Sequence, residues 1–430
     1  MGSARLHIVQ LLLIVSFIAG WESSLGQNIS TQPYRFKSIS VNDNLSHSNV
    51  NTIVQDSLGY IWIGTNNGLN RFDGYEISTF KFDLQNSHSP PGNRVKAMVV
   101  DKAGSIWISF ENKGLYRFDP TEWRFQKIPL THPKRTIIRM VMDQAGDIWI
   151  HQAVAGLTKF CLRQDASVKE IRSYPRQQIL GGEIDTEIGS LNASEGRVYF
   201  HTNRKDIWTY DKKTDTFSPL YRADELGLAD SELIGSLCKD GESMWVGTNQ
   251  RLFRIKRTLK GLQRETLSFT ASTGLISRIY KDQFQRIWCS TGIGLFMLDF
   301  QNGDQGSPDI IQYAKNKRNS QGILSNRIIC FLEDRFGVIW LGSHSGVNYT
   351  NLRRKAFVHV GQYLGESNFS KENHVSAIVK HQDGRIWIGT NSGLYILPSE
   401  HQVRHDYVRE EKPSYPIQDN INFIFRDQKQ

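Results

Sequence analysis

Between residues 56 and 73 polar turn-formers alternate with short apolar runs. Asp56 and Gly59 flank a turn, Ile61, Trp62 and Ile63 are apolar in succession, Asn67 and Gly68 interrupt, and Leu69, Arg71 and Phe72 resume. Asp first and Gly fourth suit a type I turn whose backbone N–H groups are held by the carboxylate. A run apolar on both alternating faces predicts a strand covered on both sides. Asn67 and Gly68 are read as the positive-φ pair of a tight hairpin. Two linked hairpins cannot bury both faces alone, so copies must stack.

The pattern recurs. A second copy has Asp101, Gly104, Ile106, Trp107, Ile108, Gly114 and Leu115, and a third has Asp143, Gly146, Ile148, Trp149, Ile150 and Gly156, with His151 where the first has Gly64. The fourth is degenerate. Tyr199 takes the Trp position, His201 the glycine position, and Trp208 lies outside the register despite its appearance. Trp245, Trp288, Trp340 and Trp387 mark the fifth to eighth copies, with Arg251 replacing the turn glycine in the fifth. From Trp62 to Trp387 the marker aromatics are spaced 45, 42, 50, 46, 43, 52 and 47 residues apart, the period of a four-stranded propeller blade. Each copy follows a strand ending near its Asp and precedes an outer-strand candidate such as Tyr75, Ile77 and Phe80; no alternating helix pattern appears.

The expected fold is all-β: a seven-bladed β-propeller of four-stranded blades over residues 30–355, then the incomplete start of a second propeller over 356–430. Tyr34, Phe36 and Ile39 are placed to supply the outermost strand of the last blade. Closure at seven rests on Phe357, Val358 and Val360 and the polar stretch after them, which restart the layout of Phe36 to Asn49; spacing alone also allows eight. Asn420, Ile421, Phe423, Phe425 and Asp427 read as the first strand of a ninth copy, so the sequence is expected to stop inside a blade, as a truncated product would. Residues 1–26 read as a signal peptide: Arg5 precedes an apolar run from Ile8 to Ala19, and Ser24, Leu25 and Gly26 suit cleavage. That run is short for a membrane span and no later one is longer, so none is expected in the mature chain.

Composition changes this picture little. The formal charge is +9, and Arg5 and Glu22 cancel within the first 26 residues, so the mature chain keeps it. Basic clusters such as Arg254, Lys256, Arg257 and Lys260 fit solvated loops, or attraction to an acidic ligand or anionic surface. Nucleic acid is not an expected partner of an exported chain. Cys161, Cys238, Cys289 and Cys330 lie far apart without a CxxC spacing and read as buried thiols, with pairing of two of them left open. The histidines lack metal-ligand spacing, so no metal and no cofactor is expected.

The signature of WD40 repeats is missing, kelch's paired glycines occur only at Gly181 and Gly182 outside the repeat core, and the Asp-to-Gly interval differs from a sialidase Asp-box. The copies do resemble the two-component regulator propeller repeat, Asp-x-x-Gly-x-Ile/Leu-Trp-Ile/Val-Gly-Thr-x-x-Gly-Leu. The resemblance implies two seven-bladed propellers at the exported N-terminus of hybrid sensor kinases of Bacteroidetes, sensing carbohydrate breakdown products in the periplasm. It further implies an immunoglobulin-like domain, one membrane helix, a kinase and a dimer in the full-length family; none of those domains is legible in this sequence.

Three functions compete. The first is the oligosaccharide-sensing module of such a kinase, the second a freestanding protein- or glycan-binding propeller. A carbohydrate-active enzyme is the third, for which loop carboxylates Asp185, Glu187, Glu225 and Glu232 are candidates, although no HExxH, P-loop or Gly-x-Ser-x-Gly occurs. Departures from the repeat mark a candidate binding site: His151, His201, Arg204, Lys205 and Arg251 would line one rim of neighbouring blades and hold a carboxylated or sulfated sugar. Trp208 and Trp123 are candidates to stack on a sugar ring, although packing in the core or on an outer strand suits them better.

Overall fold

The computed structural model describes residues 34–353, interrupted at 134, 183–185, 195, 268, 270–272, 301–307 and 317–321, and residues 374–380, 385–390 and 393–397. The expected signal segment, the restart of the layout at Phe357 and the ninth-copy strand at Asn420 lie outside the described residues.

Seven four-stranded antiparallel sheets follow one another along the chain, each a meander from the axis outward. In blade 1 the strands are Val50–Gln55, Ile61–Thr65, Gly68–Phe72 and Ile77–Phe80. The innermost strands of blades 2 to 7 are Val95–Val100, Ile137–Met142, Ile188–Ser194, Ile234–Asp240, Arg278–Lys281 and Ile328–Glu333. Each inner strand packs on those of both neighbours, and that of blade 7 packs on that of blade 1, so the ring closes at seven. Closure is sealed as the sequence predicts. Lys37–Ile39 pairs antiparallel with Gly346–Asn351 as the outer strand of blade 7, Ile39 opposite Val347. Phe36 adds a buried edge contact to Tyr313 of blade 6, ring centroids 5.2 Å apart.

The Ile-Trp-Ile strand is buried along its whole length because the adjoining blades cover both faces. Its Trp carries much of the inter-blade core: Trp62 packs on Phe118 of blade 2, and Trp340 stacks on Tyr349 at 4.5 Å and meets Phe72 of blade 1. The turn before it is built as expected, Gly59 and Tyr60 donating to Asp56 Oδ1 at 2.8 and 3.0 Å. The turn after it differs. Gly68 alone takes a positive φ, +148°, and Asn67 does not. The Thr65 hydroxyl supplies the rest, donating to Gly68 O at 3.0 Å and accepting from Asn67 N at 3.1 Å, a device repeated at Thr291 and Ser343.

Six inner strands carry a β-bulge near their start, opposite the second-strand position that Gly64 occupies in blade 1. Glycine suits that position because a Cβ on Gly64 would stand 2.5 Å from Val95 of the next blade. Residues Tyr34–Arg354 form one compact unit and the strands after residue 374 belong to another. There Val375–Lys380, Ile386–Thr390 and Gly393–Leu397 pair as a three-stranded sheet with the same bulge. Trp387 is its marker residue. All four cysteines are free thiols, and burial pushes the Cys330 thiol up to about 12.

Candidate functional site

Inner strands begin, and second strands end, on one face of the ring; the Asp-turns occupy the other. His151, His201, Arg204, Lys205 and Arg251 all come from second strands or the turns after them, in blades 3, 4 and 5, so their backbones share the first face. Their side chains do not form a rim. His151 and His201 are 4% and 7% exposed, turned into the ring interior. His201 fills the space above Gly189, where a Cβ would lie 2.2 Å from the imidazole, and Ser190 N donates to its Nε2 at 3.2 Å. Burial, with Arg139 nearby, pushes both imidazoles down to about 4; a bond to Thr202 O works the other way for His201. They are neutral at physiological pH and give no charge to an acidic ligand.

The basic residues are otherwise engaged. Lys205, at φ +72°, donates from Nζ to Ala229 O and Asp230 O at 2.7 and 3.0 Å, tying blade 4 to the loop before blade 5. Arg251 forks onto Glu232 through Nε and one terminal nitrogen, both at 2.9 Å. Arg204 stands exposed on the turn of blade 4. Trp208 does not stack outward: it is half-buried, parallel to Phe200 at 6.5 Å, within the core between blades 3 and 4. Trp123, in the turn just before the outer strand Arg124–Ile128 and at φ +53°, packs on Phe80 at 4.6 Å and on Phe118 at 5.2 Å.

Two of the candidate carboxylates are held by cations. Glu232 is buried, and its desolvation is outweighed by hydrogen bonds from Arg251 and Thr248 that hold it ionised. Glu225 accepts from Arg222 N at 2.8 Å and pairs with Arg257 at 2.8 Å. Glu187 is exposed, and Asp185 lies outside the described residues. Among the described residues no group of three or more His, Cys, Asp or Glu side chains is arranged to hold a metal, and no helix is long and apolar enough to cross a membrane.

The layer paired with the Gly64 position runs through Thr52, Ala97, Arg139, Ser236, Arg278 and Cys330, one residue from the inner strand of each of six blades. Two members are arginines among small residues, in blades 3 and 6. The repeat spacing was the signal that could have exposed them in sequence, because both stand at the same offset from their marker Trp, 10 residues before Trp149 and Trp288.

The two-component regulator propeller family matches residues 44–67, 322–345 and 370–392, which fall on the first, seventh and eighth copies. Histidine kinase P4 of Formosa agariphila is 33% identical over 78 residues, covering 18% of this chain and 5% of that protein. Among solved structures, the extracellular domain of the hybrid two-component system BT4673 of B. thetaiotaomicron aligns over 92% of this chain and 50% of its own, at TM-score 0.60 and 22% identity. This chain therefore spans about half the length of that domain. Virginiamycin B lyase of Staphylococcus aureus aligns over 74% of this chain and 98% of its own at TM-score 0.52 and 11% identity, a likeness of fold. The chain carries two-component regulator propeller repeats at three places along its length, and its repeat motif and blade geometry agree with that match.

Proposed function

We propose that this chain is the exported ligand-sensing propeller module of a hybrid two-component system, and that it recognises oligosaccharides in the periplasm. The observation that carries the reading is the two-component regulator repeat, present in every blade in full or degenerate form and matched at both ends of the ring. The similarity of one segment to a histidine kinase and the extracellular placement of the BT4673 domain support it. The neutralised carboxylates Glu225 and Glu232 weigh against a glycosidase, which needs two free carboxyl groups facing one bond.

The test is a thermal-shift and calorimetry screen of the full chain against oligosaccharides released from plant, algal and host polysaccharides. Saturable binding of one oligosaccharide class, with no turnover of it, is the expected result. Capture of a protein partner with no glycan bound would replace this reading by a freestanding protein-binding propeller, and glycan cleavage by an enzyme.

A further inference from the structure

We propose that the tunnel of the seven-bladed ring holds a small oxyanion group, a carboxylate, sulfate or phosphate, between Arg139 of blade 3 and Arg278 of blade 6. The claim concerns a site distinct from the rim residues and does not depend on the sensing role.

Three observations set the two arginines around one lumen. Both arginines stand at the same layer of the inner strands, paired with His151 and Ser290 at the position where blades 1, 5 and 7 keep glycine. The blades are three apart in a ring of seven, so the tunnel axis lies between them. The influence of Cys330 of blade 7 on both arginines, and of Arg278 on Arg139, is in keeping with positions set around one lumen.

The arrangement lacks an anion. Arg278 is braced, donating from Nε to Ile329 O at 2.9 Å and from a terminal nitrogen to Ser277 O at 2.6 Å, which leaves its other terminal N–H groups available. Arg139 has no hydrogen-bond or ion-pair partner among the described residues, and no carboxylate is among the charges acting on it. Burial, and then Arg278, push Arg139 down to about 9, so it stays charged at neutral pH at a cost. Both side chains are half-buried, and two cations of like sign repel when no counter-ion stands between them. The nearby imidazoles of His151 and His201 are neutral and cannot serve as counter-ions. A group with two or three oxygens would satisfy both forks by charge-assisted, bidentate bonds, the geometry for which arginine is suited over lysine.

The test is calorimetry on the full chain at constant ionic strength, chloride making up the balance, with inorganic sulfate, inorganic phosphate, glucuronate and galactose 6-sulfate as probes and glucose as the neutral control. Saturable binding of at least one anion is expected, and Arg139→Gln and Arg278→Gln should each weaken it tenfold or more while Lys127→Gln on an outer strand leaves it unchanged. Arg139→Lys should recover part of the loss. Preference for the sugar acids over the inorganic ions would identify the anion as part of a sugar, and the reverse a free ion. Because loss of binding could reflect misfolding, thermal unfolding in chloride alone is the second readout: Arg139→Gln should be at least as stable as the parent, since it removes an uncompensated charge. The proposal is overturned if no anion binds above the chloride background, if both substitutions leave binding intact, or if Arg139→Gln unfolds the ring.

Discussion

Trp62 donates its indole N–H to Asp56 Oδ2 at 2.8 Å, so the carboxylate that holds the turn with one oxygen anchors the blade's largest core side chain with the other. The same bond joins Trp107 to Asp101, Trp149 to Asp143, Trp245 to Asp240, Trp288 to Asp282 and Trp340 to Asp334, at 2.8 to 3.1 Å. Blade 4 substitutes Tyr199, whose hydroxyl accepts from Lys239 N of blade 5 at 3.0 Å. The repeat thus keeps Asp and Trp together because a buried indole N–H needs an acceptor.

Asp56→Ala should lower stability by about 2–3 kcal/mol, since it unties the turn and leaves a buried N–H unpaired. Trp62→Phe, which removes the donor along with the need for it, should cost less once the smaller ring is allowed for. Urea unfolding of both variants checks this, and an Asp56→Ala loss under about 0.5 kcal/mol would show that water replaces the carboxylate.

Arg251→Met should destabilise blade 5. It strands the buried Glu232 carboxylate, and the cost should fall below the about 3–5 kcal/mol of a fully enclosed pair because Arg251 is itself 28% exposed. The double variant Arg251→Met with Glu232→Gln should regain part of the loss. A double variant no better than the single would mean that packing, not charge, sets the effect.

His151 and His201 have folded pKa values held near 4, below the unfolded value of 6.5. Protonation therefore favours the unfolded chain: the stability is fully present above about pH 6.5 and falls as pH drops toward 4, by an amount on the order of 1–2 kcal/mol per imidazole at pH 5. Returning both positions to the glycine of the repeat should flatten the stability profile between pH 7 and 5. An unchanged slope would mean that water reaches the imidazoles and they titrate normally.

Phe36→Ala should cost about 3–5 kcal/mol, as for other buried aromatic truncations, although it lies just ahead of the first strand. The loss should appear as faster proteolysis of blades 6 and 7, to which Phe36 and the closing strand bind, before blades 2 to 4. Uniform cleavage around the ring would show that opening is global.

The sequence by itself determined the blade: its period, its buried Trp positions with Tyr199 in blade 4, the turn at Asp56, and the closing strand at Ile39. These are local or periodic properties, written within about 45 residues and repeated, so spacing exposes them. What tertiary structure alone decided is where side chains from different copies meet. His151 and His201 looked like rim residues because the strand end is a rim position; both rings are buried instead, and that of His201 fills the room left by Gly189 on the inner strand of its own blade. Arg251 looked free because Glu232, 19 residues earlier, reaches it only across the loop before the blade. Arg139 and Arg278 drew no notice, being 139 residues apart and ordinary in their own segments. Only a closed ring brings two such positions to one axis, and the physical reason is that the lumen is built from one residue of each blade rather than from any contiguous stretch.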